Sequence, residues 1–138
     1  MHKLTVYGLL LAAGVGVGVV MTATTGEAAP GKEPMIGHMV YFKLKEGTPE
    51  NRAKLVKLCY DDLKGHPGEV YFGAGVVGEE FKRDVNDRDW DVALHVVFKT
   101  KADHDHYQDK SERHQKFIAA GKEMWAKVRV FDSLIEAK

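Results

Sequence analysis

The pattern of hydrophobic and polar residues predicts four β-strands along the chain, and in the first of them the two types alternate, as in a strand whose two faces meet different surroundings. The four predicted strands span residues 35–45, 69–77, 90–98 and 128–135. One face of the first stretch carries a histidine among apolar side chains: Ile36, His38, Val40, Phe42 and Leu44. The alternation assigns to one face of the third stretch Trp90, Val92, Leu94, Val96 and Phe98.

A helix is predicted between the first two strands. Thr48 is placed to cap it, and Pro49 suits its first position, where the missing N–H breaks no hydrogen bond. Until Gly65, apolar residues recur at helical spacing, at Leu55, Val56, Cys59 and Leu63.

Two further helices are predicted between the third and fourth strands. Thr100 with Asp103 resembles a capping box that opens a short helix, and Ser111 can cap a longer one. Residues at i, i+3, i+4, i+7 and i+11 form one face of the longer helix, namely His114, Phe117, Ile118, Gly121 and Trp125.

The predicted order is strand, helix, strand, strand, helices, strand. With short, right-handed connections this order predicts an α+β fold: a ferredoxin-like four-stranded antiparallel sheet with helices on one face. The other face of the sheet would expose a large apolar surface, formed by Met39, Tyr41, Ala93, Val97 and Phe131, with His95 beside it. A second copy packed about a two-fold axis would cover it, so we expect a homodimer.

The N-terminus differs from this domain in composition. Lys3 precedes an uncharged apolar run, and Gly26 and Ala28 are small residues of the kind that precede a cleavage site. We therefore expect a signal peptide at 1–28, a linker at 29–34, the domain at 35–138, and an exported protein with no membrane contact after cleavage. An uncleaved anchor is the alternative.

Charge and glycine patterns exclude several classes of partner. The chain has 20 basic and 20 acidic residues, so its net charge gives no reason to expect nucleic-acid binding. GAGVVG (73–78) matches a dinucleotide fingerprint in letters, but an acidic loop follows it instead of a helix, so no cofactor is expected.

Cys59 is the single cysteine and is expected to be a buried apolar residue.

Three other histidines lie outside the predicted strands, two of them in a cluster that resembles a metal site and one in a turn. In DHDH (103–106), His104 and His106 point about 200° apart on a helix, so they cannot chelate one ion and we expect no metal site. His66 lies in a Gly/Pro turn and is expected to be solvated.

The opening GHMVYFKLK and the closing RHQKFIAAGKEMWAKVRVFD resemble the stress-responsive dimeric α/β-barrel domain (Dabb) family over about residues 35–135. The resemblance implies a ferredoxin-like homodimer that forms a shared barrel, a dimeric α/β barrel. One plant branch of the family cyclises polyketides with a tyrosine and a histidine. By this resemblance Tyr107 and His114 stand at its catalytic positions and His38 at a pocket position. Val92 stands where that branch has a further histidine, and the Tyr107 to His114 interval is one residue longer here.

Three functions stay open. The first is binding of a small apolar or phenolic molecule in a pocket between sheet and helices, walled by His38, Val92, Tyr107, His114, Phe117 and Trp125. The second is a cofactor-independent enzyme, a polyketide-cyclase-like lyase or small monooxygenase, in which His114 takes a proton and Tyr107 donates a hydrogen bond to the oxyanion. The third is a purely structural stress protein, with His114 bonded to His38 or to a backbone carbonyl. A cavity of about 300 Å³ or more would favour a ligand over a filled interior.

Overall fold

The computed structural model describes residues 32–136. The predicted signal peptide, 1–28, lies outside the described residues, as do residues 29–31 of the predicted linker. Among residues 32–136, no helix is both long and apolar enough to cross a membrane.

Four strands and three main helices follow one another in the predicted order. In chain order they are β1 (Met35–Leu44), α1 (Pro49–Leu58), a π-helical turn (Cys59–Leu63), β2 (Glu69–Val76), β3 (Val92–Phe98), α2 (Lys101–Lys110), α3 (Glu112–Gly121), a short 3-10 turn (Lys122–Met124) and β4 (Trp125–Ile135). The strands form one sheet in the order β2-β3-β1-β4, and all neighbouring pairs are antiparallel. This confirms the α+β, ferredoxin-like fold with helices on one face.

The helices begin where the capping residues predict. Thr48 accepts a hydrogen bond from the Asn51 backbone N–H at 3.2 Å, with Pro49 as the first helical residue. Thr100 caps α2 in the same way by accepting from the Asp103 N–H at 3.1 Å, and Ser111 caps α3. Local side-chain chemistry therefore sets these three starts.

The hydrophobic core lies between the sheet and the helices. Alternate residues of β1 and β3 point into it and meet apolar side chains of α1, the π-helical turn and α3, among them Leu55, Leu63 and Phe117. Cys59 is fully buried there, and burial raises the pKa of its thiol to about 12. The thiol is therefore protonated at neutral pH and acts as a small apolar group.

Two tryptophans lie in different places from those predicted. β3 begins at Val92, so Trp90 precedes the strand. Its ring lies on the sheet face away from the helices, with its centroid 5.2 Å from that of Tyr41, and not on the face of Val92. The alternation stops because Asp91 also points inward, where its carboxylate accepts the Leu44 N–H at 2.8 Å and binds Arg52.

Trp125 is the first residue of β4 and is not part of α3. α3 ends at Gly121, where a Cβ atom would come within 2.7 Å of the Trp125 ring. The indole still packs on the predicted neighbour Phe117, with ring centroids 5.7 Å apart, because β4 starts directly beneath the end of the helix.

The sheet face opposite the helices is apolar and uncovered in the single chain. We call it the open face and define it by Met39, Tyr41, Trp90 and Phe131, which line a hollow of about 400 Å³ together with Asp87 and Arg129. Phe131 is 54% exposed there. His95 lies on this face as predicted, with its ring 5.8 Å from that of Tyr41.

Candidate functional site

His38 is held at the helix-facing side of β1, where it is 2% exposed. Its Nδ1 lies 2.6 Å from Oδ1 of Asp132 on the neighbouring strand β4, because the two residues are paired in the sheet register. Burial lowers the pKa of His38 below its ordinary value, although the Asp132 carboxylate acts in the opposite direction. The imidazole is therefore neutral at neutral pH and donates a hydrogen bond to Asp132 through Nδ1.

Tyr107 of α2 and His114 of α3 lie face to face. Their ring centroids are 4.3 Å apart with an angle of 25° between the planes, and the ring of His38 lies 5.7 Å from that of Tyr107. The sheet and two successive helices thus bring together the three residues that the sequence singled out. No hydrogen bond joins His114 to His38, because the His38 ring is paired with Asp132 and Gln108, and Nδ1 of His114 has no hydrogen-bond partner among residues 32–136.

Burial has opposite effects on the two stacked rings. It raises the pKa of the Tyr107 phenol well above the ordinary value, so the hydroxyl remains a donor at all physiological pH values. Burial lowers the pKa of His114, so its imidazole is neutral and can accept a proton. The pair therefore has one group able to give a hydrogen bond and one able to take a proton.

These rings form part of the wall of a cavity of about 250 Å³ between the sheet and α2 and α3, which we call the helix-side cavity. The rest of its lining is almost wholly apolar. Among the residues that line it are His38, Tyr107, His114, Phe117, Trp125 and Val130. It opens along β4, whose helix-facing residues Val128 and Val130 are 39% and 49% exposed.

Val92, the remaining predicted site residue, is not among the residues lining this cavity. It is fully buried in the core opposite Phe42, and Leu94 is the β3 residue that reaches the cavity wall. The strand pairing explains the difference, because Leu94 is opposite Val40 at the level of the cavity, whereas Val92 lies two residues further along β3.

His66 is buried, which corrects the expectation that it is solvated. Its Nδ1 lies 2.7 Å from the carbonyl oxygen of Leu63, and its Nε2 lies 2.7 Å from Oγ of Ser111. Its ring also packs against Tyr107 with centroids 4.9 Å apart. The turn folds back under the start of α3, a contact between residues 45 positions apart that no local pattern shows.

His104 and His106 lie on different sides of α2. His106 is exposed and lines a separate hollow beside His66, whereas His104 meets His38 with ring centroids 5.3 Å apart. Asp132 completes a cluster with the imidazoles of His38 and His104. One possible ligand atom of each of these three residues lies within 4.8 Å of the others. Sequence reasoning missed this group because its members come from β1, α2 and β4.

Residues 36–135 match the sequence profile of the family described as Stress responsive A/B Barrel Domain. Comparison with curated proteins gave no match. Solved structures of the same fold are numerous at low identity, and three of them illustrate the range.

A Dabb family protein of Mesorhizobium loti with a ferredoxin-like fold is 19% identical, with a TM-score of 0.60; the alignment covers 76% of this chain and all (100%) of that one. A hydroxynitrile lyase of Passiflora edulis is 18% identical, with a TM-score of 0.59 and coverage of 78% and 97%. A dimeric ferredoxin-like protein of unknown function from Thermobifida fusca is 15% identical, with a TM-score of 0.60 and coverage of 76% and 94%.

At these identities the solved structures establish the fold and leave the chemistry open. The profile match extends from β1 to the last residue of β4 and includes every strand of the sheet. The chain therefore belongs to the stress responsive A/B barrel domain family.

Proposed function

We propose that this chain is an exported homodimer whose subunits each bind a small apolar or phenolic molecule in the helix-side cavity. The observation that carries the proposal is the wall of that cavity, in which four polar side chains interrupt an otherwise apolar lining, namely His38, Tyr107, Gln108 and His114. Ligand sites commonly have this composition, because apolar contacts supply affinity and a few polar groups fix orientation.

The size of the cavity restricts its occupant. An apolar cavity of about 150 Å³ holds a benzene ring, and the helix-side cavity has about 250 Å³. A single substituted ring therefore fits it. Because its volume is below the roughly 300 Å³ at which ligand pockets commonly begin, a fused multi-ring polyketide does not fit. A phenolic hydroxyl would complete the occupant, since the neutral imidazole of His114 lies in the cavity wall and can accept a hydrogen bond from it.

Dimerisation is supported by the open face. A 54% exposed phenylalanine, a half-buried tyrosine and a tryptophan on one flat sheet form the kind of apolar patch that monomers rarely expose. The Thermobifida fusca protein of the same fold is dimeric. A second copy packed on this face would cover both patches at once. Export is supported by the apolar segment within residues 1–28.

Intrinsic tryptophan fluorescence can test binding, because the two tryptophans lie on opposite sides of the sheet. Trp90→Phe leaves Trp125 as the reporter inside the helix-side cavity, and Trp125→Phe leaves Trp90 on the open face. Titration with a panel of simple phenols should give saturable quenching in the first variant and none in the second.

A cavity-filling substitution tests the location. Val130→Phe places a ring in the mouth of the cavity from a half-exposed strand position, and should reduce phenol affinity at least about tenfold. Val85→Phe is the matched control, since Val85 is 86% exposed in the loop before β3. Equal binding by both variants would place the ligand elsewhere, and no binding of any phenol would favour the structural alternative.

Proton-transfer catalysis is the second candidate, favoured by the stacked Tyr107–His114 pair. A neutral imidazole beside a phenol that stays protonated has the two roles needed to form and stabilise an enolate. Exchange of the α-hydrogen of a phenyl ketone for deuterium in D₂O, followed by NMR, measures this step alone. Catalysed exchange that His114→Gln abolishes and Tyr107→Phe slows would support an enzyme, whereas exchange at the buffer rate would exclude this chemistry for that substrate class.

A further inference from the structure

A cluster of three metal-ligating side chains joins β1, α2 and β4 at the edge of the sheet. Nδ1 of His38 lies 2.6 Å from Oδ1 of Asp132, and Nε2 of His104 lies 3.7 Å from the same oxygen. We propose that this His38–His104–Asp132 cluster binds a divalent transition-metal ion of the zinc type.

The donor set and its spacing suit such an ion. Two imidazole nitrogens and a carboxylate oxygen are ligands that zinc accepts, at about 2.0–2.1 Å from the metal, so tetrahedral ligand atoms lie about 3.3 Å apart. The two separations that involve Asp132, 2.6 and 3.7 Å, lie on either side of this value, and all three ligand atoms lie within 4.8 Å of one another. The Asp132 side chain is 49% exposed, so its carboxylate has room to turn toward an ion held by the two imidazoles.

His104 supplies an independent observation. Its Nε2 is buried and has no hydrogen-bond partner in the described part of the chain, while its Nδ1 lies 3.3 Å from Oδ1 of Asp105. If Nδ1 donates its proton to Asp105, the lone pair of Nε2 faces the Asp132 carboxylate with no hydrogen between them. A cation between the two would remove this repulsion, and a carboxylate behind a ligating histidine is a common arrangement at zinc sites.

His38 has a corresponding outer partner. The side-chain amide of Gln108 lies 3.3 Å from Nε2 of His38. When Nδ1 binds a metal, Nε2 carries the proton, and the Gln108 amide can turn its oxygen toward that proton. Each imidazole would then be oriented by a hydrogen bond on the side away from the ion.

The surrounding charges permit a cation. Lys101 is the one lysine or arginine among the described residues that line this edge, and its ammonium group is paired with Asp105 at 2.5 Å. Three protein ligands leave a fourth position open to water, and the half-exposed Asp132 makes that position accessible to solvent.

The test uses the chain purified without an affinity tag, treated with EDTA and titrated with zinc chloride by isothermal titration calorimetry. One ion per chain should bind, and His104→Ala and Asp132→Asn should each weaken binding at least about tenfold. Cobalt in place of zinc should give the visible absorption of a four-coordinate ion. His106→Ala is the matched control, because it removes an exposed imidazole from the same helix and should leave the affinity unchanged.

Failure of the folded chain to bind zinc or cobalt would overturn the proposal. Zinc binding that survives both substitutions, or that His106→Ala removes, would also overturn it. Circular dichroism establishes that each variant is folded, and Asp132→Asn, a near-isosteric change at a half-exposed position, decides the matter if His104→Ala is unstable. Neither His104 nor Asp132 lines the helix-side cavity, so phenol binding tests the proposed function separately.

Discussion

The hydroxyl of Ser111 connects the start of α3 with the buried imidazole of His66, and Ser111→Ala removes both connections. Ser111 Oγ accepts the His114 backbone N–H at 3.1 Å and lies 2.7 Å from His66 Nε2. Because His66 Nδ1 faces the carbonyl oxygen of Leu63, Nδ1 is the donor and Nε2 must accept the Ser111 hydroxyl proton. The substitution therefore leaves a helix N-terminus and a buried imidazole nitrogen without partners.

The expected loss of stability is the sum of two terms. Loss of an N-cap costs about 1 kcal/mol, and a buried acceptor left without a donor costs about 1–3 kcal/mol. We therefore expect Ser111→Ala to lower the free energy of unfolding by about 2–4 kcal/mol. Thr100→Ala is the matched control, because it removes the cap of α2 but leaves no buried imidazole without a hydrogen-bond donor. It should lower the free energy of unfolding by about 1 kcal/mol.

Urea unfolding followed by far-UV circular dichroism measures both variants. The reasoning would be refuted by equal losses for Ser111→Ala and Thr100→Ala, since the bond to His66 would then contribute nothing beyond the cap. It would also fail if the Ser111→Ala loss were under about 1 kcal/mol, which is the cap alone.

Three further predictions concern burial, pH and assembly. Asp91→Ala should lower the free energy of unfolding, measured by thermal unfolding, by about 3 kcal/mol. This value is near the lower limit for breaking a buried ion pair, because the Arg52 side chain is 23% exposed and can be solvated. A loss below about 1 kcal/mol would contradict the prediction. Stability should be constant above about pH 6.5 and should fall as the pH is lowered from there through the folded-state pKa values. The reason is that burial lowers the pKa of three histidines, His38, His66 and His114, so the unfolded chain binds protons first. Urea midpoints that do not change between about pH 8 and pH 5 would contradict this prediction. Phe131→Glu should convert the proposed dimer to a monomer in multi-angle light scattering. Leu134→Glu is the control and should leave the dimer intact, because Leu134 is 72% exposed on the opposite face of β4. A dimer that survives Phe131→Glu would place the interface elsewhere.

Much of the fold could be predicted because its signals are local. Each of the caps Thr48, Thr100 and Ser111 acts on a backbone N–H three residues away, so a short sequence window contains the whole interaction. The alternation in β1 likewise reflects one strand between helices and an open face. Strand ends were less predictable, because Trp90 and Trp125 are placed by Asp91 and Gly121 through contacts with other elements.

The candidate site was only partly predictable for the same reason. His38, Tyr107 and His114 were identified by a family resemblance, and the structure brings them to one cavity. Leu94 replaces Val92 on the wall because the level of the cavity depends on how β3 pairs with β1. Ser111 lies 45 positions from His66, and Asp132 lies 28 positions (132 − 104) from His104, so neither of these two contacts has a sequence signature.

By itself, the sequence determined the order of strands and helices, the three helix starts and the apolar character of both sheet faces, since period and capping depend on neighbours within a few residues. Only the tertiary structure decided which nitrogen of each histidine meets which partner, how large the helix-side cavity is, and that His38, His104 and Asp132 meet at one point. Those properties depend on strand register and helix docking, which bring together atoms that lie far apart along the chain.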